Sequence, residues 1–190
     1  MLQFIAEMGM CMSGIETFRK IECEQFLDNI SISLQNNRFE LQTEFLEQIM
    51  KIKKLIKCQN QNIAFVEISL LRHSIIAANK VEFCIELCND DGMFGGLCYQ
   101  KSFALPIFTG ILKKAKNELM IGAKKYIGKI PQAFAEKIML EYISQIDEIL
   151  AEYFSDALSS SEGTEMKALI KDRRICCTMG EYRRFHFKIV

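Results

Sequence analysis

The sequence contains no tryptophan and two histidines, His73 and His186. A Ser–His–acid or Cys–His site therefore has two places to form, and no nucleophile elbow accompanies either. The GxSxG, HExxH and Walker-type lysine patterns are absent, as is the GxGxxG spacing of a dinucleotide loop. No uninterrupted apolar run approaches the roughly 20 residues that span a bilayer. The opening MLQFIAEMGMCMSG has no basic region followed by an apolar stretch and a small-residue cleavage site, so it does not read as a signal peptide. Net charge is lacking too. The 24 basic residues balance 24 acidic ones, so no global field draws the chain toward nucleic acid or an anionic membrane. Together these absences lead to the expectation of a cytoplasmic protein with no membrane segment, no cofactor and more binding than catalysis in its function.

What is present describes a folded domain. Of 190 residues, 49% are apolar and 25% charged, which suits a buried core and not a disordered chain. The zero net charge conceals blocks. Residues 101–130 carry seven Lys and one acid, and residues 131–162 carry seven acids and one Lys. Residues 163–190 then return to net positive charge, with seven basic residues and three acids. Neighbouring helices that complement each other account for such alternation more often than a dipolar surface that steers a charged partner does.

The stretch from Ile63 to Leu87 organises the rest, because β-branched and aromatic residues dominate it and helical patterns flank it. Ala64, Val66, Ile68 and Leu70 alternate with Phe65, Glu67 and Ser69. Val81, Phe83, Ile85 and Leu87 alternate likewise, so the pair predicts an antiparallel hairpin. Ile68, Leu71, Ile75 and Ile76 also fit a helical period, which leaves a helix over Ile68–Ala78 as the competing reading. A short strand around Leu97–Tyr99 extends the hairpin to a meander. Helices are predicted over 15–34, 39–58, 102–126 and 132–158, the last from Phe134, Ile138, Tyr142, Ile146, Ile149 and Tyr153. The tail RRICCTMGEYRRFHFKIV predicts a second hairpin, 174–179 with 182–189, turning at Gly180-Glu181 and bulged near Arg183-Arg184.

The expected architecture is one α+β domain over residues 1–190. A small antiparallel sheet, made of the central and C-terminal hairpins, packs against four mainly amphipathic helices. Residues 1–14 form a loose arm, and 159–163 an internal linker.

Three sets of side chains are candidates for chemistry. Arg72 and His73 interrupt the apolar run of the central hairpin. With Glu67 and Glu82 nearby they are the weak catalytic candidates, and a phosphate ester is the substrate their charge suits. Cys84, Cys88 and Cys98 are the weak metal candidates. If 81–88 is a strand, the first two share a face but sit about 13 Å apart, and no CxxC supports a zinc site. The eight cysteines read more simply as free thiols behaving as small hydrophobes. Arg183, Arg184, Phe185 and Phe187 in the tail, with Lys113 and Lys124, are the candidate binding residues, since cations and aromatics on one sheet suit either phosphates and bases or a protein interface. Asp90-Asp91 beside Gly92 reads as an ordinary turn. The function expected from these features is non-catalytic protein binding by a small inhibitor, immunity-like protein or adaptor, with homodimerisation through the 132–158 helix as one form. The alternative is a nucleic-acid-binding or phosphate-ester-acting protein using Arg72, His73 and the basic tail.

Overall fold

The alternation of Val66, Ile68 and Leu70 produces strand β1, Ile63–Leu71, with these three side chains at most 1% exposed. In the computed structural model, which describes residues 14–58, 63–77, 80–89, 96–126, 130–181 and 186–190, β1 is the centre of a five-stranded sheet. β2 (Glu82–Asn89) pairs antiparallel with it, Ile68 opposite Ile85 and Leu70 opposite Phe83. β3 (Leu97–Ala104) continues the meander, and β4 (Cys176–Glu181) and β5 (His186–Lys188) lie on the other side. The order is β3-β2-β1-β4-β5.

The α+β architecture holds, with two corrections. β4 joins β1 in parallel, Phe65 opposite Cys176, so the sheet is mixed and not antiparallel throughout. Seven α-helices are described, not four. They are α1 (Glu24–Asn36), α2 (Arg38–Cys58), α3 (Arg72–Ala77), α4 (Pro106–Lys124), α5 (Gln132–Ile143), α6 (Ile146–Ser159) and α7 (Thr164–Asp172). None of them is long and apolar enough to cross a membrane.

The helix expected over 132–158 is two. Ser144-Gln145 separates α5 from α6, and the Ser144 hydroxyl donates to the Glu141 carbonyl at 2.7 Å, a local bond that competes with helical continuation. Each half buries its own apolar residues, Ile138 and Met139 in α5, Leu150 and Phe154 in α6. The region 102–104, expected to open a helix, is strand. Phe103 stacks on Phe83 with ring centroids 5.3 Å apart, and the ladder runs to Ala104 opposite Glu82. Pro106 then disfavours helical geometry at Leu105 and fits the first position of α4, where its missing N–H is no loss. The next N–H, of Ile107, donates to the Glu44 carboxylate at 3.1 Å. Gly180-Glu181 is the end of β4 and not a turn, since Gly180 pairs with His186.

The chain forms two compact units, one of residues 1–36 with 110–144 and the other of 37–109 with 145–190. In the first, a π-helical turn, Arg19–Cys23, leads into α1. Phe18 and Cys23 are five residues apart and both fully buried, and the extra residue per turn brings them closer to one face than an α-helix would. Buried Phe26, Ile30 and Leu34 continue that face along α1. Glu22 is 8% exposed and takes a 2.9 Å ion pair from Lys125. The Glu22 carboxylate lies over Gly122, 2.0 Å from where an added Cβ would stand, so a larger residue there would displace that carboxylate.

In the second unit, α2, α6 and α7 contact one another, and α6 lies on β4 and β5. Phe154 of α6 stacks face to face on Phe45 of α2, centroids 3.8 Å apart, and meets Phe83 of β2 edge-on at 6.3 Å. This aromatic group is the core between the helices and one face of the sheet. Ser159 to Gly163, expected as a linker, makes a tight turn in which the Ser160 hydroxyl donates to Ala157 and accepts from the Gly163 N–H. α7 ends in a Schellman motif. Ile175 N–H returns to Ile170, Arg174 N–H to Lys171, and Arg174 takes the left-handed conformation (φ 57°) that glycine ordinarily supplies. β4 therefore begins at Cys176 and not at Arg174.

Candidate functional site

At the end of β1 the chain turns directly into α3, and Ser74 fixes the junction. Its buried hydroxyl donates to the Leu71 carbonyl at 2.6 Å and accepts the Glu82 N–H at 2.9 Å. The first two residues of α3, Arg72 and His73, are thereby set on the lip of a cleft of about 380 Å³. Its floor is Leu70, Leu71 and Cys84, and its far wall is Gln100 and Ser102 of β3. The Gln100 amide donates to the Glu86 carboxylate at 3.1 Å and to the Cys84 sulfur at 3.3 Å.

The structure thus places Arg72, His73 and Cys84 around one cavity, with His73 exposed. The two carboxylates expected near them lie on the same β1–β2 ladder. Glu82 is opposite Leu71 but pairs with Lys80 at 2.9 Å, and Glu67 is opposite Glu86 further along the sheet. Burial pushes the Cys84 thiol up, and the Gln100 hydrogen bond offsets this only in part. The thiol therefore stays protonated at neutral pH and is a poor nucleophile. A guanidinium, an imidazole and a hydroxyl are among the groups that line the cleft.

β3 has a second cleft on its opposite face, about 340 Å³, between the strand and α2. Ile52 and Leu55 with Tyr99 and Phe103 give it an apolar floor, and Lys51, Lys54 and Lys101 are at its edge. Successive side chains of β3 divide between the two cavities, Gln100 and Ser102 to one, Tyr99, Lys101 and Phe103 to the other. Among the described residues β3 pairs with β2 alone and the other edge of this eight-residue strand has no partner strand, and Leu97 at its start is 54% exposed. Reading 102 onward as helix misses this edge.

Cys84 and Cys88 are buried, Cys98 is half-buried with its thiol on the Gly96 carbonyl at 3.4 Å, and among the described residues no three Cys, His, Asp or Glu are grouped to hold a metal. Burial, then the charges of Glu67 and Glu86, push the Cys88 thiol up to about 11. Of the binding candidates, Arg183, Arg184 and Phe185 lie outside the described residues, as do Asp90-Asp91 and the arm up to residue 13. Phe187 is half-buried opposite Met179. Lys113 and Lys124 are exposed on α4 in the other unit, about three turns apart. Arg173 of the basic tail caps α2, donating to the Ile56 carbonyl at 2.7 Å. In the hollow between α1 and α4, Glu22 is matched to Lys125 and Asn29 to Glu118.

No protein-family model, curated protein or solved structure matches this chain.

Proposed function

We propose that this chain is a non-catalytic protein-interaction module that takes a segment of its partner as an added strand along β3. The observation that carries the reading is an open edge strand with a cleft on each face. An extended peptide bonded to such an edge gains main-chain hydrogen bonds and sends alternate side chains to opposite sides, where pockets supply selectivity. Both sides of β3 have such a pocket. The chemistry of the cleft beside β3 agrees, since His73 and Ser102 bring polar groups to it while its thiol is held protonated. The free thiols among the described residues suit a reducing compartment, and a cytoplasmic location follows from them as part of the same proposal.

Selection of displayed random linear peptides on the full chain, followed by N-methylation of the best binder one residue at a time, tests the reading. Strand addition uses every second N–H, so loss of binding at alternate residues is the expected result. Binders that tolerate methylation throughout, or lose affinity without a period of two, would refute it.

A further inference from the structure

We infer that the cleft between α2 and β3 is a binding site for a single-chain amphiphilic anion, an acyl carboxylate whose chain lies on the apolar floor and whose head meets the lysines. The site uses no main-chain group of β3, so it stands or falls apart from strand addition. The cavity of about 340 Å³ lies within the roughly 300–1,000 Å³ of small-molecule pockets. Ile52 and Leu55 line it from α2, and Ile85, Tyr99 and Phe103 from the sheet, all within one compact unit. Tyr99 and Phe103 are four residues apart on one side of the strand, about 13 Å. The floor is therefore drawn out lengthwise, as an extended chain requires.

Positive charge comes from both walls, Lys51 and Lys54 from the helix and Lys101 from the strand. Among the described residues no Asp or Glu lines this cavity. The nearest preceding acids on α2 stay outside it: Glu44 accepts the Ile107 N–H, and Glu47 is exposed. Glu82 and Glu86 alternate with Ile85 along β2 and so belong to the opposite face of the sheet. Lys51 reaches the neutral Gln48 amide oxygen at 3.1 Å, whereas Lys53, which does not line the cleft, pairs with Glu165. Like charges gathered round an apolar cavity repel one another. An anionic head among them relieves that repulsion, while the chain behind it is removed from water. A nucleic acid fits less well, because Phe103 is 9% exposed, too little for a base to stack on it.

Isothermal titration calorimetry on the full chain tests the site, with decanoate, decanol and decyltrimethylammonium each kept below its micelle concentration. Decanoate is expected to bind at one site at least about tenfold more tightly than decanol, or about 1.4 kcal/mol, and the cationic amphiphile is expected not to bind. The margin over decanol should shrink as salt is raised. The double variant Lys54→Glu, Lys101→Glu, checked for fold by circular dichroism, is expected to lose decanoate affinity at least about tenfold. Lys113→Glu, Lys124→Glu, which alters the exposed cations of α4, is expected to leave it unchanged. Equal binding of decanoate and decanol, or equal losses in the two double variants, overturns the inference. Absence of binding overturns it too, and means that the lysines cover the floor with their own stems. None of these results touches the methylation scan on which strand addition rests. Recruitment of the chain to vesicles of phosphatidylcholine and phosphatidylglycerol, without binding of free decanoate, assigns the cations to a membrane surface. Displacement of decanoate by a short single-stranded oligodeoxynucleotide assigns them to nucleic acid. Either outcome overturns the acyl-carboxylate site.

Discussion

Replacing Phe154 by alanine tests whether the sheet is held by the aromatic group on its helix-covered face. The ring is fully buried, stacked on Phe45 and edge-on to Phe83. A buried phenylalanine removes about 150–250 Å² from water, worth at most about 4–6 kcal/mol at roughly 25 cal/mol per Å². Alanine keeps part of that area, and a compact unfolded chain already hides about 10–40% of it. The transfer contribution falls to about 2–3 kcal/mol, and the cavity left between α2, α6 and β2 raises the total to about 3–5 kcal/mol. Urea unfolding followed by far-UV circular dichroism reads the loss, since no tryptophan is present to report it. Hydrogen exchange at the amides of β1 and β2 locates it. A double-mutant cycle with Phe45→Ala isolates the ring pair, with an expected coupling of about 0.5–1.5 kcal/mol. A loss below about 1 kcal/mol, or additive single changes, would mean that the stack contributes little and that the sheet is held by other contacts.

Two further perturbations follow from the fold. Burial holds the thiols of Cys88 and Cys177 up at about 11 and about 12, so above the ordinary thiol value of 9.0 the unfolded chain releases protons that the folded chain keeps, and stability falls as pH rises. Unfolding at pH 8 and pH 10 should differ by about 1.4 kcal/mol for each of these thiols, and an unchanged midpoint would contradict their burial. Arg174→Gly should relieve the left-handed strain at the end of α7 for a net gain of about 0.5–1 kcal/mol in thermal or urea unfolding. Arg174→Ala, which removes the charge but keeps the Cβ, should give no such gain.

Local periodicity carries part of this structure and no more. Val66, Ile68 and Leu70 declare β1, and Leu41, Phe45, Ile49, Ile52 and Ile56 declare α2, because in each the buried positions repeat with the period of the element. The rival strand and helix readings of Ile68–Ala78 each hold a part: the strand runs to Leu71 and the helix starts at Arg72, with Ile75 buried and Ile76 exposed. The parallel pairing of β1 with β4 has no local signature, since strand direction is decided by distant contacts. The break at Ser144 is hidden because neither glycine nor proline marks it. Arg72 and His73 are visible as a polar interruption in an apolar run. The edge of β3 is much less so, because Gln100, Lys101 and Ser102 are all exposed and no buried alternation sets the strand apart.

The parallel ladder also governs the order in which the molecule is assembled. β1 meets β2 after a short excursion, but Phe65 meets Cys176 only about 110 residues further along the chain. During synthesis the β1–β2–β3 meander emerges long before β4 exists, so one side of β1 waits with its hydrogen-bonding groups unmatched. The β3 edge is the reverse case, present early and, among the described residues, still without a partner strand at the end. A nascent chain therefore exposes two adhesive edges, and the late arrival of β4 and β5 retires one of them.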